Sequence, residues 1–460
     1  MMTLPIQPLS PLDGRYQRQT SALAEHLSEA GLNRARVHVE VEWLLWVAEH
    51  RLFGAEPVDA DAAAALRQWA AAFGQTEIDA LAEKEAVTRH DVKAVEYLVR
   101  DRLQQLGLER LSEAVHIACT SEDINNLSYA LTIRSAVQEV WMPAFRAVID
   151  RLRELALEQR DRPMLSLTHG QPATPTTLGK ELAVVAWRLE RQATRIDGVE
   201  VLGKFSGATG TFSAHVVAEP DADWPATASA FVEHLGLVWN PLTTQIESHD
   251  WQAELFGAIS HAGRILHNLA TDVWTYIMLG AFTQIPVAGA TGSSTMPHKI
   301  NPIRFENAEA NLEIASALLE SLSATLVTSR LQRDLTDSST QRNIGVALGH
   351  SLLALDNLRR GLSEIAVSDA ALDAALEGNW EVLAEAIQTV IRAEVLAGNS
   401  QIADPYAQLK ELTRGQRVGQ EQLVAFVDGL DISDAAKQRL RRLTPGTYTG
   451  VASALVDRLP

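Results

Sequence analysis

Residues 305–326 read FENAEANLEIASALLESLSATL, and this stretch decides the fold. Its members Phe305, Ala308, Leu312, Ala315, Leu319, Leu322 and Leu326 recur every three or four positions. That spacing keeps one side of an α-helix apolar, whereas a half-buried strand needs alternation at every second residue. The stripe outruns the usual helix of about 11–12 residues. A seam repeating near 3.5 residues belongs to helices packed side by side in a bundle.

Two further stripes obey the same rule. Ile133, Val137, Val140, Ala144, Val148, Leu152 and Leu155 form one; Leu178, Leu182, Val185 and Leu189 form the other. Pro143 is expected to bend or break the first, since its ring removes an N–H and crowds the preceding turn. Alternating patterns are scarce, and Val201–Thr211, with three glycines, is the best candidate for a short β excursion. The expectation is an all-α chain in three helical parts. Residues 1–111 form an N-terminal domain with a loop near Thr88–Asp91, residues 112–364 a central long-helix bundle carrying the loop 286–302, and residues 365–460 a C-terminal domain. Turn signals at Gly398-Asn-Ser, Asp404-Pro and Pro445-Gly punctuate the last part.

Composition narrows the function. The chain has 460 residues, 46% hydrophobic and 21% charged, enough apolar material for a large core. The lone cysteine, Cys119, forbids an intrachain disulfide and fits a reducing compartment. The first residues lack a basic, then apolar, leader pattern, and the most apolar run, Val273–Phe282, is too short to span a bilayer. A cytoplasmic protein is expected. The net charge of −18 repels nucleic acid and anionic membrane, so neither is expected as a partner. An anionic substrate would need a local basic pocket.

Residues 292–302, GSSTMPHKINP, carry the densest chemistry. Two adjacent hydroxyls, Ser293 and Ser294, sit near His298, Lys299 and Asn301. Gly289 and Gly292 permit unusual backbone angles and expose amide N–H groups. This suits a loop that handles anions; the plain alternative is a polar surface connector.

Five other polar clusters interrupt the helical text. Ser10-Pro-Leu-Asp-Gly-Arg-Tyr16 reads by itself as an N-terminal turn. In Thr88-Arg-His-Asp-Val-Lys93, Asp91 could orient an imidazole or cap a helix. In Cys119-Thr-Ser-Glu-Asp-Ile-Asn-Asn126, Ser121 and Asp123 could form a helix cap, and a helix N-terminus also binds anions. Thr168-His-Gly-Gln-Pro-Ala-Thr-Pro175 places a histidine before a glycine and just ahead of a strong helix. Residues 330–343, RLQRDLTDSSTQRN, could be a solvated helix face with Arg333 and Asp337 as an i,i+4 pair.

Together these motifs resemble the fumarase/aspartase superfamily, and the Met-Pro-His-Lys form of the loop is similar to its adenylosuccinate lyase branch. The resemblance covers essentially the whole chain in ordered motifs. It implies a homotetramer whose central domains share one helical bundle, with sites built from several subunits. It implies elimination of fumarate from adenylosuccinate, giving AMP, and from the succinyl-carboxamide ribotide SAICAR, giving AICAR. Carried over motif by motif, it assigns Arg15 and Tyr16 to the substrate phosphate, where an arginine fork suits bidentate contact. His90 and Asp91 contact substrate, with position 89 in the same motif; Arg89 departs from the asparagine common in the branch. Thr120 and Ser121 receive a succinyl carboxylate. His169 is the general acid, in keeping with an ordinary imidazole pKa of about 6.5. Thr168 and Gln171 bind or orient, and Leu167 departs from the usual arginine. Gln245 matches a substrate-binding position, and Glu247 would orient His169. Asn307 is carried over as a substrate contact, and Arg333, Ser338 and Arg342 hold the nucleotide or its phosphate.

The implied chemistry needs a base at a carbon beside a carboxylate, donors for the resulting aci-carboxylate, and an acid at the leaving nitrogen. Ser293 is the expected base, chosen over Ser294 on the family pattern, with Ser294, Lys299 and Asn301 on the carboxylate. No metal-ligand spacing and no nucleotide-cofactor glycine motif occurs, so neither metal nor cofactor is expected. A sibling lyase acting on argininosuccinate is the rival reading, disfavoured by His298 and the phosphate-type clusters. A catalytically silent helical scaffold is the other, disfavoured by the intact Ser293, His169, Lys299 and Asn301.

Overall fold

The computed structural model describes residues 8–286, 296, 299–413 and 418–460. The chain is dominated by helices, as the stripes require. The first are α1 (Gln17–Leu27), α2 (Glu29–Glu49), α3 (Ala60–Ala71), α4 (Gln75–Thr88), α5 (Asp91–Gln105), α6 (Ser121–Ser135) and α7 (Met142–Glu158). A hairpin of β1 (Pro163–Thr168) and β2 (Gln171–Thr177) precedes α8 (Leu178–Asp197). Then follow β3 (Leu202–Gly203), α9 (Ser213–Ala218), α10 (Trp224–His234), β4 (Val238–Trp239), α11 (Asp250–Met278), β5 (Phe282–Gln284), α12 (Ile303–Leu326), α13 (Thr336–Gln341), α14 (Ile344–Ser363) and β6 (Ile365–Val367). The C-terminal helices are α15 (Asp369–Glu377), α16 (Ala384–Leu396), α17 (Pro405–Thr413), α18 (Gln420–Asp428), α19 (Asp434–Arg441) and α20 (Ala452–Val456).

The chain divides into two compact units. The first comprises residues 1–146, 192–267 and 308–356; the second comprises 147–191, 268–307 and 357–460. Helices α7, α8, α11, α12 and α14 contribute residues to both.

The stripe that opened the analysis holds at every position: Phe305, Ala308, Leu312, Ala315, Leu319, Leu322 and Leu326 are all buried on α12. The stripe through Pro143 does not. Residues 136–141 form a π turn, and α7 resumes at Met142. A π turn accommodates one extra residue, so the buried face advances by one position. Trp141 and Phe145 are buried where Val140 and Ala144 were expected, and Val148, Leu152 and Leu155 then continue the seam. Pro143 thus follows a π turn, and the chain remains helical through it.

In the first unit, Trp43, Phe205 and Phe231 pack around one another with ring centroids 4.4–5.0 Å apart. The predicted excursion near Val201–Thr211 is real but short: β3 pairs in parallel with β4 through Leu202↔Val238 and Gly203↔Trp239. In the second unit a C-terminal core gathers Trp380, Leu383, Ile387, Ile391, Leu423, Val427 and Leu440. Strand β5 there pairs antiparallel with β6.

Candidate active site

The polar motifs of the first unit converge on a set of buried charges. Ser28 caps α2 by accepting the Gly31 N–H at 3.1 Å. Two turns into that helix stands Arg36, only 1% exposed. Its guanidinium donates to Asn125 Oδ1 at 2.9 Å, Asn33 Oδ1 at 2.8 Å and Asp91 Oδ2 at 2.8 Å. Asp91 therefore orients a buried arginine and sits at the first position of α5, while the cap itself is His90, whose Nδ1 accepts the Lys93 N–H at 3.2 Å. Burial alone would raise the Asp91 carboxyl, but the Arg36 charge, the Val92 N–H and the Arg342 charge hold it below its ordinary value.

The chain of contacts extends in both directions. Arg342 reaches Asp91 Oδ2 at 3.4 Å and donates to both Glu29 oxygens at 2.9 Å. Asn125 donates to Glu122 Oε1 at 2.9 Å, and Arg333 meets the same oxygen at 2.9 Å. Arg333 also approaches Gln245 Oε1 at 3.5 Å, and Gln245 donates to the Ala208 carbonyl at 3.0 Å. Motifs around 29, 91, 122, 245, 333 and 342 are thus one network. Arg333 does not turn to Asp337, so the helix-face reading of 330–343 fails: Arg330 instead pairs with Asp334 at 3.3 Å. Asp337 faces the buried His249 Nε2 at 3.4 Å, and its other oxygen accepts the Ser338 N–H at 2.6 Å. Glu247 accepts the His249 N–H at 2.7 Å and the Asn240 amide at 2.9 Å.

The start of α6 is equally constrained. Asp123, fully buried, accepts the Thr120 N–H at 2.9 Å, the Ser206 N–H at 2.9 Å and the Gly207 N–H at 3.1 Å. Lys204, also fully buried, lies 2.8 Å from it and donates to the Gly207 carbonyl at 2.8 Å. The cap is therefore Thr120 with Asp123, not Ser121 with Asp123, and Thr120 and Ser121 stand half-buried at the positive end of a 15-residue helix. Near the chain start, Arg15 is exposed with its guanidinium carbon 5.9 Å from the Tyr16 ring centroid. Arg89 is exposed in the left-handed region at φ 52°, ending α4.

In the second unit the histidine motif is a strand pair, which sequence patterning missed because Pro172 and Pro175 argue against a sheet interior. A two-stranded ribbon has only edges, where proline is tolerated. Register runs Leu167↔Pro172 and Thr168↔Gln171, leaving His169 and Gly170 as a two-residue turn. Both have positive φ, 55° and 72°, as a type I′ hairpin requires. Thr168, His169 and Gln171 are exposed at its tip. Lys299 is exposed and its N–H donates to the Met296 carbonyl at 3.0 Å. Asn301 is half-buried just before α12, and its carbonyl accepts the Ile303 N–H at 2.8 Å. Asn307 Oδ1 accepts from Asn357 at 2.9 Å. Ser293, Ser294 and His298 lie outside the described residues.

The sequence reading overlooked Arg36, Glu29, Glu122, Asn125 and Tyr129. One signal was available: Arg36 and Glu40 fall four apart on the same face as Leu32 and buried Trp43. A charge on an apolar stripe needs a partner. Burial pushes the Tyr129 hydroxyl up to about 12, so it stays a neutral donor beside Arg342 and Glu29. Among the described residues no His/Cys/Asp/Glu group has a metal-holding arrangement, and no helix is long and apolar enough to cross a membrane.

Comparison with known proteins agrees at three levels. The family described as lyase matches residues 14–314, and the family described as adenylosuccinate lyase C-terminal matches residues 329–449. The adenylosuccinate lyase of Escherichia coli (strain K12) is 48% identical over 453 residues, 98% of each chain, and that of Haemophilus influenzae is 47% identical over the same share. The fold is shared with a 3-carboxy-cis,cis-muconate lactonizing enzyme from Pseudomonas putida (TM-score 0.73, 23% identity, 95% of this chain and 96% of that one). It is also shared with a fumarate lyase from Mesorhizobium sp. BNC1 (TM-score 0.74, 19% identity, 95% and 97%). With both family domains present in order and nearly half of all residues identical along the whole length, this chain is a carbon–nitrogen lyase of the adenylosuccinate lyase family, within the fumarase/aspartase superfamily.

Proposed function

We propose that this chain eliminates fumarate from adenylosuccinate to give AMP and from SAICAR to give AICAR. The observation that carries this reading is the arginine network of the first unit. In a chain of net charge −18, Arg333 and Arg342 are held by Glu122 and Glu29 in one network with Arg36 and Asp91; the charges of that network balance, so what it offers an anionic nucleotide is fixed guanidinium donors rather than an excess of positive charge. The full-length identity to the E. coli adenylosuccinate lyase supports the same substrate.

The roles follow from the chemistry. Ser293, as its alkoxide, takes a proton from the carbon beside a succinyl carboxylate and becomes a neutral hydroxyl. Charge then accumulates on that carboxylate as the aci-form, and Ser294, Lys299 and Asn301 donate to it; such prearranged donors are usually the largest catalytic contribution. The C–N bond breaks as the C=C bond of fumarate forms, and His169 delivers a proton to the departing nitrogen. Thr120 and Ser121 hold the other carboxylate at the α6 N-terminus. Arg15, Tyr16, Arg89, His90, Asp91, Arg333, Ser338 and Arg342 bind the nucleotide and its phosphate, with Thr168, Gln171, Gln245 and Asn307 orienting the substrate. The working form is a cytoplasmic homotetramer in which several subunits supply each site.

The test is a spectrophotometric assay on adenylosuccinate, with AMP and fumarate identified chromatographically and argininosuccinate run in parallel. Equal amounts of AMP and fumarate from adenylosuccinate alone are expected, with SAICAR also consumed. Turnover of argininosuccinate instead would replace this reading with the sibling lyase. Light scattering on the eluting enzyme checks the tetramer.

A further inference from the structure

The loop 115–120 that leads into α6 is strained and is pinned by a histidine with no part in the chemistry above. Two of its non-glycine residues adopt left-handed angles, His116 at φ 60° and Ala118 at φ 59°. Such conformations persist only where the surroundings enforce them. Trp43 Nε1 donates to the Ile117 carbonyl at 3.1 Å. His116 itself lies between two buried carboxylates: Nδ1 is 2.6 Å from Glu40 Oε1 on α2, and Nε2 is 3.9 Å from Glu96 Oε1 on α5. Glu40 is fully buried, and its second oxygen has no hydrogen-bond partner among the described residues. Asp123 on α6 also acts on the imidazole; beyond these carboxylates, Lys93 lies 2.6 Å from Glu96 Oε2, Lys204 lies against Asp123, and Cys119 stands on the same loop.

We propose that His116 is a positioning residue whose imidazolium bridges Glu40 and Glu96, locks the strained loop, and so fixes Thr120 and Ser121 for the succinyl carboxylate. The inference rests on the carboxylate role given to those two residues above. Removing the bridge leaves two carboxylates in a poorly solvated place without their shared cation, and only the Trp43 contact at Ile117 and the Asp123 contact at Thr120 remain to hold a loop with two left-handed residues. Burial alone would lower the imidazole pKa, but the Glu40 hydrogen bond and charge, then Glu96 and Asp123, hold it above its ordinary value. The bridge is therefore complete below the ordinary imidazole pKa and lost as pH rises through the raised one.

The experiment compares parent, His116→Gln and His116→Leu by inhibition with fumarate, which carries only carboxylates, and with AMP, which carries only the phosphate end. Each is measured from neutral to alkaline pH. The parent should lose fumarate affinity on the alkaline side and keep AMP affinity. His116→Leu should bind fumarate roughly tenfold more weakly throughout, equivalent to about 1.4 kcal/mol, with KM raised more than kcat is lowered. His116→Gln, which can still donate to Glu40 but cannot titrate, should restore neutral-pH affinity and lack the alkaline loss. If the leucine variant does not fold, the glutamine variant decides. A glutamine variant that follows the parent's alkaline loss overturns the proposal, and so does equal weakening of fumarate and AMP. Thr120→Ala and Ser121→Ala are run beside them. If these leave fumarate affinity intact, the carboxylate reading falls and the inference with it. If they weaken it while both His116 variants do not, the inference alone falls.

Discussion

The arginine network of the first unit and the histidine hairpin of the second present functional side chains in opposite ways. Arg36 is held by three side chains from α2, α5 and α6, and is almost completely buried. His169 is held by its backbone: two consecutive left-handed residues put it at the tip of a two-residue turn, with the side chain in solvent. The first device makes a rigid, buried polar network, costly to disturb because it strips partners from groups that water cannot reach. The second makes a presented group that can be replaced with little cost to folding. Binding groups and a proton donor have different needs. A charge pattern must be prearranged, whereas an acid must reach a leaving atom and exchange protons.

That contrast breaks most sharply on activity. His169→Ala is expected to lower kcat on adenylosuccinate by about 10²–10⁴-fold, the usual worth of a general acid, with unfolding temperature and helical circular dichroism unchanged. Near-normal turnover would remove His169 from the acid role. Arg36→Met should do the reverse. It leaves Asn33 and Asn125 without their donor and Asp91 with only the Val92 N–H and the longer Arg342 contact, and a loss of about 3 kcal/mol in denaturant unfolding is expected, as for a broken buried pair. An unchanged unfolding midpoint would show that Arg342 alone satisfies Asp91.

Asp91→Asn sharpens the electrostatic half. Because the Asp91 carboxyl sits below its ordinary value, its contribution is present above the unfolded carboxylate pKa of about 3.9 and lost as pH falls through the depressed one. The parent should therefore lose stability over this acid range more steeply than the asparagine variant, as read by thermal melts at successive pH values. Parallel curves would mean that the pair contributes equally in both protonation states. Gly170→Ala has the smallest expected effect. An added Cβ meets nothing within 4 Å, so the whole penalty comes from φ +72°, about 1 kcal/mol, and kcat should fall only modestly as the hairpin tip relaxes. A loss as large as that of His169→Ala would show that the turn geometry itself sets the acid.

Much of this was legible before the structure. Seven stripe positions of α12 were read from spacing alone and all are buried. The stripe through Pro143 slipped by one residue because a π turn leaves no mark in a three-and-four pattern. Thr120, Asp91 and Arg333 stand out in the polar motifs, yet their local partners differ from those that spacing suggests. Thr120 caps with Asp123, His90 rather than Asp91 caps α5, and Arg333 pairs with Glu122 rather than with its neighbour in sequence. The hairpin around His169 was hidden by prolines that a two-stranded ribbon tolerates at its edges.

The sequence by itself determined the helical character, the seams and the identities of the reactive residue types, because a helix repeats every few residues and its pattern is written locally. Only the tertiary structure decided the partnerships. Arg342 meets Glu29 across 313 positions, and Arg36 meets Asp91 across 55. Charges so far apart in the chain are brought together by how buried helices pack, and no local spacing encodes which of several arginines a buried carboxylate will face.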